Sequence, residues 1–329
     1  MPTIYLDVLL LQSLYVNYFL LRAAAKLTHT PLGWLRCGLA AAGSSLFSLL
    51  ILLPPLPVLL QLLLKLLAAA AAQGETVLRG AAREPEISDL AAFLNRCGGC
   101  VQGAGTSTIR VQGRRMLYSC SFAPMADRIV ASTLACACAA AGGRVELTGC
   151  RPETYAPLLE ILAQMGCRVE TGPESAVITR LGALHGAGRV FTGVYPALAT
   201  DAAPLLAAAM LAADSASSIE DVVFERRFGC AEGFAAFGAA VQVQGRTLDI
   251  RPVRQLQGAC TRAADLRGGA ALVVAALAAR GRSRITDTGY IDRGYAGFAQ
   301  MLAELGAQIE REMPRESASE KKTPSKKQN

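Results

Sequence analysis

Four glycines recur through most of this chain at nearly constant spacing. Gly98, Gly166, Gly238 and Gly306 are separated by 68, 72 and 68 residues. A period of that length marks a repeated supersecondary unit. An amphipathic stretch precedes each glycine. In the first copy Ile87, Leu90, Ala91 and Leu94 fall at i, i+3, i+4 and i+7, one face of a helix. Strand-like residues follow, such as Val169 or Val241-Gln242-Val243. A second helix is predicted to start near Asp127, Asp201 and Asp265, each leading into an Ala-rich run. Aspartate there suits N-capping and the helix dipole. The unit reads as strand–helix–strand–strand–helix. Its Ala-rich helices are apolar all round, which predicts a buried helical core wrapped by sheets. The fold class is α/β, with just over three units.

Composition narrows the function. Of 329 residues, 52% are hydrophobic and 18% charged, which excludes a disordered chain or a coiled coil. The net charge is +7, but Pro314–Asn329 carry five Lys/Arg against two Glu, so +3 belongs to that segment. The rest makes no case for nucleic acid. Residues 313–329 read as a disordered tail. The histidines are His29 and His185, so a histidine-based metal site is not expected, nor is a cofactor. Ten cysteines lie mostly in helical or strand-like runs, which points to buried thiols in a reducing compartment.

Ahead of the repeat the chain is apolar. Ile4 to Ala25 is charged only at Asp7 and Arg22, and Trp34 to Leu53 only at Arg36. Both reach the roughly 20 residues a membrane span needs. Val58 to Ala72 is a third, marginal run. No basic residue opens the chain, which argues against a cleaved signal peptide. Arg22, Lys26 and Arg36 place the first loop in the cytoplasm by the positive-inside rule. Three spans would put the main domain there as well. Asp7 reads either as a hydrated interfacial residue or as a functional group within a span. The expected organisation is transmembrane helices over 1–72, a fragment of one lobe over 73–114, a main lobe over 115–312 and the tail.

Each repeat carries an arginine 11 to 15 residues before its glycine: Arg83, Arg151, Arg227 and Arg293. Arginine beside a helix N-terminus makes an anion site from guanidinium and backbone N–H groups. With Arg128 and Arg267 at other helix starts, the set reads as a phosphate-binding cleft. The alternative is structural pairing with Glu84, Glu225, Asp265 and Asp292. Asp201, where a loop enters a helix, reads either as a general base for a hydroxyl or as a plain N-cap.

Two resemblances stand out. Ile4-Tyr5-Leu6-Asp7-Val8, Asn17-Tyr18 and Gly43-Ser44-Ser45 resemble the membrane region of sporulation sigma-factor-processing peptidases, over about residues 3 to 60. Ala81-Ala82-Arg83-Glu84-Pro85-Glu86, Phe224-Glu225-Arg226-Arg227-Phe228, Ala264-Asp265-Leu266-Arg267 and Ile291-Asp292-Arg293-Gly294-Tyr295 resemble the UDP-N-acetylglucosamine enolpyruvyl transferases, from Gly74 to about Glu312. That second resemblance implies two inside-out α/β barrels with the active site between them. It implies transfer of an enolpyruvyl group from phosphoenolpyruvate to the sugar 3-hydroxyl, in cell-wall precursor synthesis. Asp201 would be the base, Arg293 a phosphoenolpyruvate contact, Arg227 and Arg267 cations of the cleft, and Asp265 an acidic residue beside them. Thr200, Arg128 and Glu84 would bind substrate.

The chain departs from that family. The amino-terminal Lys-Asn motif and the mobile loop with its reactive cysteine or aspartate are missing, and Arg226 replaces the usual Asn. Catalysis by the chain alone is therefore expected to be absent or very weak, with a partner chain as one source of the missing lobe. A non-catalytic, membrane-bound UDP-sugar or partner-binding module, or a gene-fusion remnant, are the other readings. Cys97-Gly98-Gly99-Cys100 lacks the second pair a zinc site needs. Asp287-Thr288-Gly289 imitates a peptidase triplet but reads as turn chemistry.

Overall fold

The computed structural model describes residues 74–113 and 116–312, preceded by helical residues at 63, 66, 67, 69 and 70. The first two apolar runs and the tail lie outside the described residues. Among the described residues no helix is long and apolar enough to cross a membrane.

A small unit comes first. Strands β1 (Glu75–Arg79), β2 (Cys100–Gln102) and β3 (Thr108–Gln112) form an antiparallel sheet in the order β1-β3-β2. Helix α1 (Pro85–Arg96) buries Ile87, Ala91 and Leu94, the face that the spacing predicts, with Leu90 partly covered. They meet Val101, Ile109 and Val111. Leu66, Ala69 and Ala70 close the same core. The end of the third apolar run is thus packed against protein, which corrects the membrane span expected there. An all-apolar helix suits a lipid bilayer or a protein interior equally, and here the sheet and α1 supply the apolar neighbours.

The main lobe follows. Its elements are α2 (Arg128–Ala141), β4 (Gly143–Thr148), α3 (Ala156–Gln164), β5 (Arg168–Gly172) and β6 (Ser175–Arg180). Next come β7 (Gly188–Phe191), α4 (Ala203–Met210), β8 (Ser217–Glu220), α5 (Ala231–Ala236), β9 (Ala240–Gln244) and β10 (Thr247–Arg251). It ends with β11 (Cys260–Arg262), α6 (Leu266–Ala278), β12 (Arg284–Thr286), α7 (Gly289–Asp292) and α8 (Phe298–Glu304). Three sheets form, β4-β6-β5, β7-β8-β10-β9 and β11-β12. The Ala-rich helices α2, α4 and α6 pack on one another inside them. Every residue of α4 is buried. The expected helical core wrapped by sheets is what the sequence builds. The copy from β7 to β10 adds a leading strand to the expected unit.

The four repeat glycines do one job. They follow α1, α3, α5 and α8 with φ of +87°, +103°, +80° and +97°. Each N–H bonds back to the carbonyl three residues earlier, and the next N–H to the carbonyl five earlier, as in Gly166 to Ala163 and Cys167 to Leu162. This is the Schellman ending, which needs a left-handed residue that glycine adopts without strain.

A strap joins the unit to the lobe, running antiparallel to α1. The Tyr118 N–H donates to the Cys97 carbonyl at 2.8 Å, and Phe122 meets Phe93 edge-on at 5.5 Å. The Met125 N–H donates to Asp89 at 3.2 Å. Arg128 Nε then pairs with Glu86 at 2.8 Å.

Leu66→Ala is expected to cost about 2–4 kcal/mol of the small unit's stability by opening a cavity. Amide hydrogen exchange at Ile109 and Val111 should then quicken; unchanged exchange would place Leu66 outside that core.

Candidate active site

The starts of the three inner helices meet. Thr200 and Asp201 form a short 3-10 turn leading into α4. Arg267 lies in the first turn of α6, and Thr133 in the second turn of α2. Their N-termini carry partial positive charge toward one place.

Asp201 is shared by two guanidinium groups. Its Oδ1 accepts from Arg227 Nη2 at 3.0 Å, and its Oδ2 from Arg267 Nη2 at 3.1 Å and Nε at 3.2 Å. Both arginines are largely buried, at 13% and 16% side-chain exposure, whereas Asp201 keeps 39%. The carboxylate therefore still faces solvent while its partners are fixed. Burial by itself would lower the Arg267 pKa; the Asp201 charge and Tyr295 outweigh it and hold the guanidinium above its ordinary value. Tyr295, itself pushed up by burial, shares its hydroxyl with Thr133 at 2.8 Å and Arg267 at 3.4 Å. The Arg227 guanidinium also lies 4.2 Å from the centre of the Phe224 ring.

A second carboxylate, Asp221, sets this arrangement and was missed in the sequence. It is fully buried. Its Oδ1 accepts from the N–H groups of Val223 and Phe224, both at 2.8 Å. Its Oδ2 accepts from the Thr200 hydroxyl and lies 3.4 Å from Arg227 Nε, which also donates to Thr200 Oγ1 at 3.0 Å. One aspartate thus ties the loop before α4 to the segment carrying Arg227. The available signal was an aspartate two and three residues ahead of bare backbone N–H groups, the pattern of an Asx turn.

The other expected site residues separate. Arg128 is buried, but Glu86 takes its charge, and its guanidinium sits 5.7 Å from the Tyr195 ring. Glu84 occupies the N-cap position of α1 without capping it, and its Oε2 is buried without a hydrogen-bond partner. Asp265 caps α6 through Gly268 at 2.7 Å and lines a separate cleft of about 430 Å³ with Cys230, Thr261, Arg262 and Tyr290. Arg293 ends α7, exposed, outside the Asp201 cluster. Arg83 and Arg151 are exposed as well. The ion-pair partners expected for the arginines also differ, since Glu225 binds Arg246 and Asp292 binds Arg311. Among the described residues no cluster of metal-ligating groups occurs.

This geometry sets a half-exposed carboxylate between two largely buried guanidinium groups on an α/β lobe with buried helices. Residues 61–302 match the family model of EPSP synthase (3-phosphoshikimate 1-carboxyvinyltransferase), and the chain belongs to that family. Residues 3–76 match the family model of sporulation factor SpoIIGA. The chain is 41% identical over 245 residues to UDP-N-acetylglucosamine 1-carboxyvinyltransferase of Finegoldia magna, and 40% identical to that of Nitratidesulfovibrio vulgaris. Each alignment covers 74% of this chain and 58% of the relative. The chain therefore spans somewhat over half the length of the curated relatives it matches. Among solved structures it resembles the enolpyruvyl transferase NikO from Streptomyces tendae, with a TM-score of 0.65 and 29% identity, over 74% of this chain and 58% of that one. EPSP synthase from Acinetobacter baumannii shares the fold at a TM-score of 0.58 and 22% identity, over 75% of this chain and 60% of that one.

Asp221→Asn is expected to destabilise the main lobe by about 3 kcal/mol, because it strips the buried Arg227 of a counter-charge. A denaturant titration measures this, and an unchanged midpoint would show that Asp201 alone satisfies Arg227. Cys230 is held up to about 12 by burial and by the Asp265 charge, so its thiolate is scarce at neutral pH. At pH 8 iodoacetamide should label exposed Cys260 long before Cys230; equal rates would contradict this burial.

Proposed function

We propose that this chain carries one wall of an enolpyruvyl transferase site that takes UDP-N-acetylglucosamine and phosphoenolpyruvate. The observation that supports it most is the half-exposed Asp201 carboxylate held between two largely buried arginines. A carboxylate so placed can take the proton of an incoming sugar 3-hydroxyl. The freed oxygen attacks C2 of phosphoenolpyruvate while the C3 methylene gains a proton. Loss of that proton with departure of phosphate restores the double bond on the sugar ether. Arg227 and Arg267 neutralise the phosphate and carboxylate charges of this intermediate, from positions set before substrate arrives. Thr200, tied to Asp221 and Arg227 beside Asp201, is placed to take the nucleotide-sugar, whereas Arg128, Glu84, Arg293 and Asp265 lie outside this cluster.

The acid that protonates C3 belongs, on the family resemblance, to a loop of the other lobe. The matched region spans 58% of its relatives, which supports little or no turnover by this chain unaided. A partner chain carrying the rest of the second lobe would complete the site. Without one the same residues form a binding module for the nucleotide-sugar. The two apolar runs at 4–25 and 34–53 support attachment to a membrane.

Phosphate release from phosphoenolpyruvate in the presence of UDP-N-acetylglucosamine tests this reading, with detergent-purified chain and Asp201→Asn as control. Background-level release by the chain alone is expected. Release that Asp201→Asn abolishes would show that this wall suffices, and sugar-independent release that survives the substitution would overturn the assignment of Asp201.

A further inference from the structure

Most described thiols are sealed in the core. Cys136, Cys138, Cys150, Cys167 and Cys230 are all buried. Burial pushes Cys136 and Cys138 up and holds Cys167 at about 11. Of the other described cysteines, Cys97 is buried at the end of α1, Cys100 and Cys120 are partly buried and Cys260 is exposed. Cys97 and Cys120 stand with their sulfurs 3.2 Å apart, 23 positions apart in sequence. Cys97 is the residue that ends α1, just before the repeat glycine. Cys120 lies in the strap and is only partly buried.

Their surroundings hold them there. The Tyr118 N–H bonds to the Cys97 carbonyl itself. The Tyr118 ring covers Gly98, where a Cβ would meet it at 3.0 Å, and Leu117 lies over Gly99. Phe122, Met125 and Arg128 then meet Phe93, Asp89 and Glu86 along α1. The two sulfurs face each other at the outer end of a zipper whose inner end is the Arg128–Glu86 pair. Bond formation requires closure by only about 1 Å, to the usual disulfide length.

We propose that Cys97 and Cys120 are a reversible oxidation site, whose disulfide fastens the strap to α1 and so fixes the small unit against the main lobe. A disulfide oxidant such as glutathione disulfide supplies the chemistry. The half-buried Cys120 sulfur, as thiolate, attacks it, forms a mixed disulfide and expels one glutathione thiolate. The Cys97 sulfur then attacks Cys120 Sγ, forms the protein disulfide and expels the second. Two protein thiols are oxidised, one glutathione disulfide is reduced to two thiols, and the two protein protons end on the glutathiones. The five core thiols named above stay out of this exchange because they are buried away from the oxidant.

The full-length chain in detergent tests this with glutathione disulfide and tryptic peptide mapping. The expected product links the peptide 97–110 to the peptide 116–128, survives Cys100→Ser, is absent from Cys120→Ser, and disappears with dithiothreitol. Amide exchange at Tyr118 and Met125 should slow severalfold once the bond forms. Free thiols at oxidant levels that oxidise a reference dithiol, or a Cys97–Cys100 bond in place of the linked peptides, would overturn the proposal. So would unchanged exchange along the strap in the cross-linked chain, since a bond that fastens nothing is not this device.

Discussion

The mutual burial of three Ala-rich helices is the constraint on which the site depends. Alanine is small enough to let α2, α4 and α6 lie close, and their apolar surface leaves no face for water. The sheets must then close around them. The helix starts are brought together at one place, where Asp127, Asp201 and Asp265 stand at the head of each buried run. Core packing thereby concentrates helix dipoles, carboxylates and arginines. Fixed positive charge that meets a half-exposed carboxylate follows from the fold before any substrate is considered.

The repeat made much of this legible. Glycines spaced near 70 residues apart located four Schellman endings, because a left-handed C′ position is a chemical demand that sequence records directly. The Ala-rich runs told of buried helices for an equally direct reason. Direction was not legible. Spacing placed Arg128, Arg227, Arg267, Asp265 and Arg293 at helix ends, yet says nothing of where each side chain turns. Glu86, 42 positions upstream, captures Arg128, while Asp265 turns back to cap its own helix. Asp221 went unseen because its role is to satisfy backbone N–H groups across a turn, which leaves no periodic trace.

The apolar stretch before the small unit shows the same limit. A run such as Val58 to Ala72 is compatible with a bilayer or with a protein core, and only its neighbours decide. Leu66, Ala69 and Ala70 find Ile87, Leu94 and Val111, so the family match that begins at residue 61 and the packing agree. The chain thus joins a lobe of the EPSP synthase family to a sequence matching a sporulation factor through an overlapping segment, with the two matches meeting over residues 61–76.

The central claim is that Arg227 and Arg267 are poised for an anionic substrate with Asp201 as their resident counter-charge. Calorimetric titration of phosphoenolpyruvate, in the presence of UDP-N-acetylglucosamine, tests it most directly on the full chain and on Arg267→Ala. Loss of one charge-assisted contact should weaken binding roughly 10- to 100-fold. Equal affinity in the two proteins, with both folded, would contradict the account.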